Sequence, residues 1–144
     1  MDNLDKSKNW ASLLLRWGLA VVFILFGYQK LSIPEQTRAE IQLLLDIGLG
    51  SASAINFYLG LIEIMVAISF VLGIFIKKTS LLASLMLLGF FSSFLWKYGL
   101  GIDPTLYRDL GLLAGSLALW FLGSGDWSLD EWLSKKRQAQ LKSS

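Results

Sequence analysis

The sequence predicts an all-α integral membrane protein: a bundle of four transmembrane helices, with a short interfacial helix between the first two spans and an amphipathic helix at the C-terminus. Three observations carry this expectation. Hydrophobic residues fill 54% of the 144 positions and charged residues 17%, and the mean hydropathy is +0.55, too apolar for a soluble domain of this size. Four apolar stretches approach the ~20 helical residues that cross a hydrocarbon core of ~30 Å. Most lysines and arginines sit beside those stretches, where they set membrane orientation.

The spans fall at residues 10–31, 54–76, 80–98 and 107–122, within one domain covering residues 1–144. Lys6 and Lys8 ahead of the first span suit a signal peptide, but the run carries Arg16, continues to Leu31 and has no small-residue cleavage pattern, so an uncleaved span is expected. Between the first two spans, Ser32 and Glu35 form an S-x-x-E capping signature with Pro34 in the opening turn, and Gly48 closes the segment. Ile41, Leu44, Leu45 and Leu49 recur there at helical spacing, which predicts a short helix lying on the membrane or dipping into it. Lys77, Lys78 and Thr79 alone separate the second and third spans, so these form a tight antiparallel hairpin. After Leu122 the run G-S-G-D-W-S-L-D-E-W breaks the fourth helix, and Ser128 with Glu131 restarts one at 128–142. Trp127, Trp132 and Leu133 on it suit the interface, and Lys135, Lys136 and Arg137 suit anionic headgroups.

Sorting the 13 basic residues by side sets the orientation. Lys6, Lys8, Arg16, Lys77, Lys78, Lys135, Lys136, Arg137 and Lys142 fall on one side, and Lys30, Arg38, Lys97 and Arg108 on the other. The first side is therefore expected to be cytoplasmic, with both termini, in a multi-pass protein of the plasma membrane. All four tyrosines lie near the outer ends and five of the six tryptophans near the inner ones.

Composition also narrows the chemistry. The chain has no cysteine and no histidine, which removes disulfides, thiol relays, thiolate or imidazole metal sites and the usual haem ligands. No metal and no intrinsic cofactor are expected, and no catalytic residue can be assigned. A net charge of +2 argues against nucleic acid as a partner. The lipid bilayer is the expected environment.

Ionisable groups inside the spans carry the functional information, because each costs ~2.5 to 3.5 kcal/mol at mid-membrane unless it finds a partner. Arg16, Ala20, Phe23, Gly27 and Lys30 share one face of the first span, and Asn56, Gly60, Glu63, Ala67 and Phe70 one face of the second. Small, polar faces of this kind turn toward each other in lipid. Glu63 and Asp109 each lie about 14 residues from the inner boundary, a depth of ~21 Å. They should share a layer, with Lys30, Lys97 and Arg108 within snorkelling reach and Gln29 beside Lys30. Two explanations stay open. Glu63 could pair with Lys30 or Arg108 and do no more than fix helix register. Alternatively the cluster binds a polar headgroup or a quinone ring, with Arg108 and Lys30 donating hydrogen bonds and Glu63 exchanging a proton. Arg16, about one turn inside the cytoplasmic boundary, is expected to snorkel as an anchor. Gly111 and Gly115 form G-x-x-x-G, which suits packing within one chain as well as a homo-oligomer.

The runs L-L-L-R-W-G-L-A-V-V-F-I-L-F-G-Y-Q-K-L (residues 13–31), Y-L-G-L-I-E-I-M-V-A-I-S-F-V-L-G (58–73), R-D-L-G-L-L-A-G-S-L-A-L (108–119) and D-W-S-L-D (126–130) resemble the DoxX family of small bacterial and archaeal membrane proteins. The resemblance covers about residues 13 to 130, and its pattern maps onto Arg16, Gly27, Lys30, Glu63, Gly73, Arg108 and Asp109. Many relatives have lysine where this chain has Arg108. The resemblance implies an accessory or quinone-interacting subunit of a membrane oxidoreductase system, with other subunits of that system as partners. It transfers no catalytic assignment, since this chain lacks cysteine for sulfur handling. Two other functions compete: a non-catalytic scaffold that organises lipids or partner proteins, and a small-solute transporter. Four short spans leave no room for an internal inverted repeat, so transport would require an oligomer.

Overall fold

The computed structural model describes residues 2–46, 48, 50–99 and 107–143. Every regular element among the described residues is helical, with no strand among them: α1 (Asp2–Ser32), a 3₁₀ turn (Pro34–Thr37), α2 (Arg38–Asp46), α3 (Ala52–Leu72), α4 (Ile76–Tyr98), α5 (Tyr107–Leu122) and α6 (Leu129–Ser143). Three helices, α1, α3 and α4, are long and apolar enough to cross a membrane. At 16 residues α5 is shorter.

α1 packs chiefly on α3 and α4 on α5, and contacts of α1 with α5 and of α3 with α4 close the ring. The core draws on all four: Leu19, Ala20 and Phe23 of α1, Val66, Ala67 and Phe70 of α3, Ile76, Ala83 and Leu87 of α4, and Leu119 of α5. Around this narrow core the polarity is inverted relative to a soluble protein. Arg16, Lys30, Glu63, Ser80, Asp109 and Ser116 are buried, whereas Leu14, Val21, Leu25, Met65, Ile68, Leu85 and Leu88 face outward. An apolar exterior of that extent needs lipid around it. Exposed Tyr28, Tyr58, Tyr98 and Tyr107 ring one end, and exposed Trp10, Trp17, Trp127 and Trp132 the other, which also bears both termini.

Local chemistry moves several boundaries. The α3–α4 break comes at Gly73–Phe75, ahead of the expected Lys77–Thr79, which lie inside α4. Gly73 and Phe75 supply the left-handed residues of the turn, at φ +71° and +54°, and a run of lysines has no power to stop a helix that these residues have already stopped. The Ser32–Glu35 capping box does not form, because Ile33 takes the cap position and Pro34 opens a 3₁₀ turn. Of the second capping box the Ser128 half forms, with the Glu131 amide donating to Ser128 Oγ at 3.2 Å. Leu49 lies outside the described residues.

Phe75, the residue preceding α4, has no capping side chain of its own. Asp130 of α6 supplies one from afar: its carboxylate accepts from the amides of Phe75 at 3.0 Å and Ile76 at 3.1 Å, while its own amide donates to the Gly73 carbonyl at 3.1 Å. Asp130→Ala is expected to lower stability by about 1 kcal/mol, the usual cost of a lost N-cap. Asp130→Asn should keep part of that, which thermal unfolding in mild detergent would resolve.

Candidate functional site

Two glycines set the separation at which the polar cluster forms. On the facing sides of α1 and α3, a Cβ at Gly27 would lie 2.8 Å from the Gly60 carbonyl oxygen, and one at Gly60 3.1 Å from the Gly27 carbonyl oxygen. Backbones this close leave no room for any larger residue. One turn from these glycines, Lys30 Nζ donates to Glu63 Oε1 at 2.9 Å, and the two side chains keep only 2% and 4% of their exposure. Lys30 is the cation that meets Glu63.

Glu63 and Asp109 line one small cavity walled by Phe23, Phe26, Met86, Leu87 and Phe90, so the two carboxylates do share a layer. Asp109 is buried and accepts from Arg108 Nε at 3.2 Å. The Arg108 guanidinium lies 4.7 Å from the centre of the Phe26 ring and the Lys30 ammonium 5.6 Å from it. One aromatic ring thus serves two cations, whose charge it attracts. The cluster gathers residues of α1, α3 and α5, with α4 supplying apolar wall.

Lys30 also borders a second space. It lines a groove of about 650 Å³ between α1, the 3₁₀ turn, α2 and α3, together with Leu31, Ile41, Leu45, Asn56 and Phe57. Asn56 is buried at its edge and its Oδ1 accepts from Thr37 Oγ1 at 2.9 Å, which pins the turn to α3. The helical period places Asn56 on the contacting face, but no pattern in the sequence pointed to Thr37 or to the groove.

Three expected placements differ. Lys97 is not brought into the cluster: at the end of α4 its ammonium donates to Asp46 of α2. That bond, with a second from Gln42, holds the Asp46 carboxyl below its ordinary pKa. Gln29 is half-buried next to Lys30 and lines neither cavity. Arg16 does not snorkel. It is 2% exposed and donates to four main-chain carbonyls, those of Phe70 (3.0 Å), Val71 (3.2 Å), Ser124 (2.9 Å) and Trp127 (2.9 Å). The end of α3 and the α5–α6 turn have acceptors to offer, and a guanidinium with five donors satisfies several at once. Of the G-x-x-x-G pair, Gly115 faces Leu15 and Leu19 within the chain, and Gly111 faces open space.

Residues 11–96, from α1 through almost all of α4, match the family model for DoxX. The chain belongs to the DoxX family. The DoxX match includes Arg16, Gly27, Lys30, Glu63 and Gly73 and stops short of Arg108 and Asp109. In this DoxX protein the ion pair and the glycines that admit it therefore lie within the matched stretch, and the second carboxylate comes from beyond it. Comparison with curated proteins finds no match, nor does comparison with solved structures.

Proposed function

We propose that this DoxX protein is a quinone-interacting accessory subunit of a membrane oxidoreductase system, crossing the plasma membrane four times with both termini in the cytoplasm. The observation behind this reading is the Lys30–Glu63 pair set between an outer groove and an inner cavity. The groove, at about 650 Å³, falls within the ~300–1,000 Å³ usual for small-molecule sites. Its make-up fits a ring bearing polar oxygens, with Leu31, Ile41, Leu45 and Phe57 as apolar walls, Lys30 and Asn56 as inner polar groups, and Gln42 and the paired Glu35 and Arg38 among the remaining lining. When bound, a quinone supplies two-electron, two-proton chemistry inside the bilayer. The chain's own part is to hold a ring oxygen through Lys30 and to keep exchangeable protons close by, at Glu63 and Asp109. The fourth crossing falls to α5, whose 16 residues span ~24 Å; the uneven distribution of basic residues supports the orientation.

Protein in nanodiscs titrated with short-chain ubiquinone and menaquinone analogues is expected to bind one of them saturably. Asn56→Leu should weaken that binding about ten-fold, the loss of one good hydrogen bond, and Glu63→Gln should weaken it through Lys30, whose ammonium the carboxylate positions at 2.9 Å. Partitioning that never saturates, or equal affinity in both variants, counts against the reading. The near-complete burial of the ion pair favours a second one, a non-catalytic scaffold whose charges only fix helix register. In that case Glu63→Gln lowers the melting temperature and leaves no quinone binding to lose.

A further inference from the structure

The end of the bundle that bears both termini has a cavity of its own. It measures about 270 Å³ and is lined by Phe75, Ile76, Lys77, Lys78, Ser124 and Asp130. We propose that this cavity holds the phosphate of an anionic phospholipid from the adjoining leaflet, with Lys77 and Lys78 as its cationic clamp.

Three independent features support the assignment. Charge comes first: Lys77 and Lys78 both line the space, while the one carboxylate there, Asp130, is engaged by the amides of Phe75 and Ile76. Two amides at the α4 N-terminus are thus already engaged, and the lysines supply the surplus positive charge. The second feature is position. A Cβ at Gly123 would meet Lys77 Cε at 3.9 Å, so the aliphatic stem of Lys77 lies against the start of the α5–α6 turn, whose Ser124 lines the same cavity. Long basic side chains laid along apolar surface in this way present their charge at headgroup level, and exposed Trp10, Trp17 and Trp127 mark the same level. The third is the path for acyl chains. Leu81, Leu82 and Leu85 follow the lysines at helical spacing and are exposed, so a lipid clamped at Lys77 and Lys78 has a continuous apolar stripe of α4 beneath it.

The basic residues of α6 are a separate matter, since Lys135 and Lys136 do not line this cavity and Lys135 pairs with Asp126 and Glu131. They provide the internal control. The protein is reconstituted in nanodiscs of equal phosphatidylglycerol and phosphatidylcholine, released gently, and its retained lipid counted by native mass spectrometry. Phosphatidylglycerol should be retained preferentially, about five-fold less for each of Lys77→Gln and Lys78→Gln, and nearly unchanged in Lys135→Gln with Lys136→Gln. An unshifted melting temperature shows that the lysine variants are folded. Equal retention of the two lipids overturns the proposal. So does an equal loss from the α6 variants, which means diffuse attraction. Displacement by millimolar inorganic phosphate or glycerol phosphate also overturns it, because the site then takes free phosphate in place of lipid.

Discussion

Glu63→Ala is expected to destabilise the protein by about 3–5 kcal/mol, while Lys30→Met combined with Glu63→Leu costs far less than either single change. The single change strips the Lys30 ammonium of the carboxylate that it meets at 2.9 Å, at a place where its side chain retains 2% exposure. Breaking one half of a buried pair carries a cost of that order because the other charge stays in low dielectric, whereas exchanging both halves for apolar groups of similar volume is often neutral. A double-mutant cycle on unfolding in mild detergent measures this directly. A coupling below about 0.5 kcal/mol would show that the two side chains act independently and would remove the basis for a functional cluster.

The contacting faces of α1 and α3 were legible in the sequence because a helix of known period needs no tertiary information to tell which residues share a side. Ala20, Phe23, Gly27 and Lys30 face Gly60, Glu63, Ala67 and Phe70 as the spacing requires, and all are buried. Depth was legible for the same reason: a fixed rise per residue placed Glu63 and Asp109 together, and they line one cavity. What stayed hidden depends on groups that side-chain patterns do not encode. The partners of Arg16 are main-chain carbonyls 54 to 111 positions away, and every residue offers a carbonyl. The Asp130 cap serves amides 54 and 55 positions back, so a local capping signature could not announce it. Lys97 was misplaced because its partner Asp46 sits on α2, whose position relative to α4 no periodicity fixes.

Arg16 decides the other large effect. A snorkelling anchor tolerates lysine, because both side chains carry a long stem and a charge. A guanidinium shared among four carbonyls does not, because one ammonium with three donors cannot reach the end of α3 and two points of the α5–α6 turn together. Arg16→Lys is therefore expected to lose most of what Arg16→Leu loses, about 3 kcal/mol or more, given about 1 kcal/mol for each buried carbonyl deprived of its donor. Gly73→Ala tests the same junction from the opposite side. A Cβ there would lie 2.6 Å from both Arg16 Nη2 and Ser128 Cβ, and φ is +71°, so the left-handed backbone alone costs about 1–2 kcal/mol before any clash. If the junction is one unit, Arg16→Leu combined with Gly73→Ala should fall well short of the two losses added together. Wild-type stability in Arg16→Lys would return this residue to the role of a surface anchor.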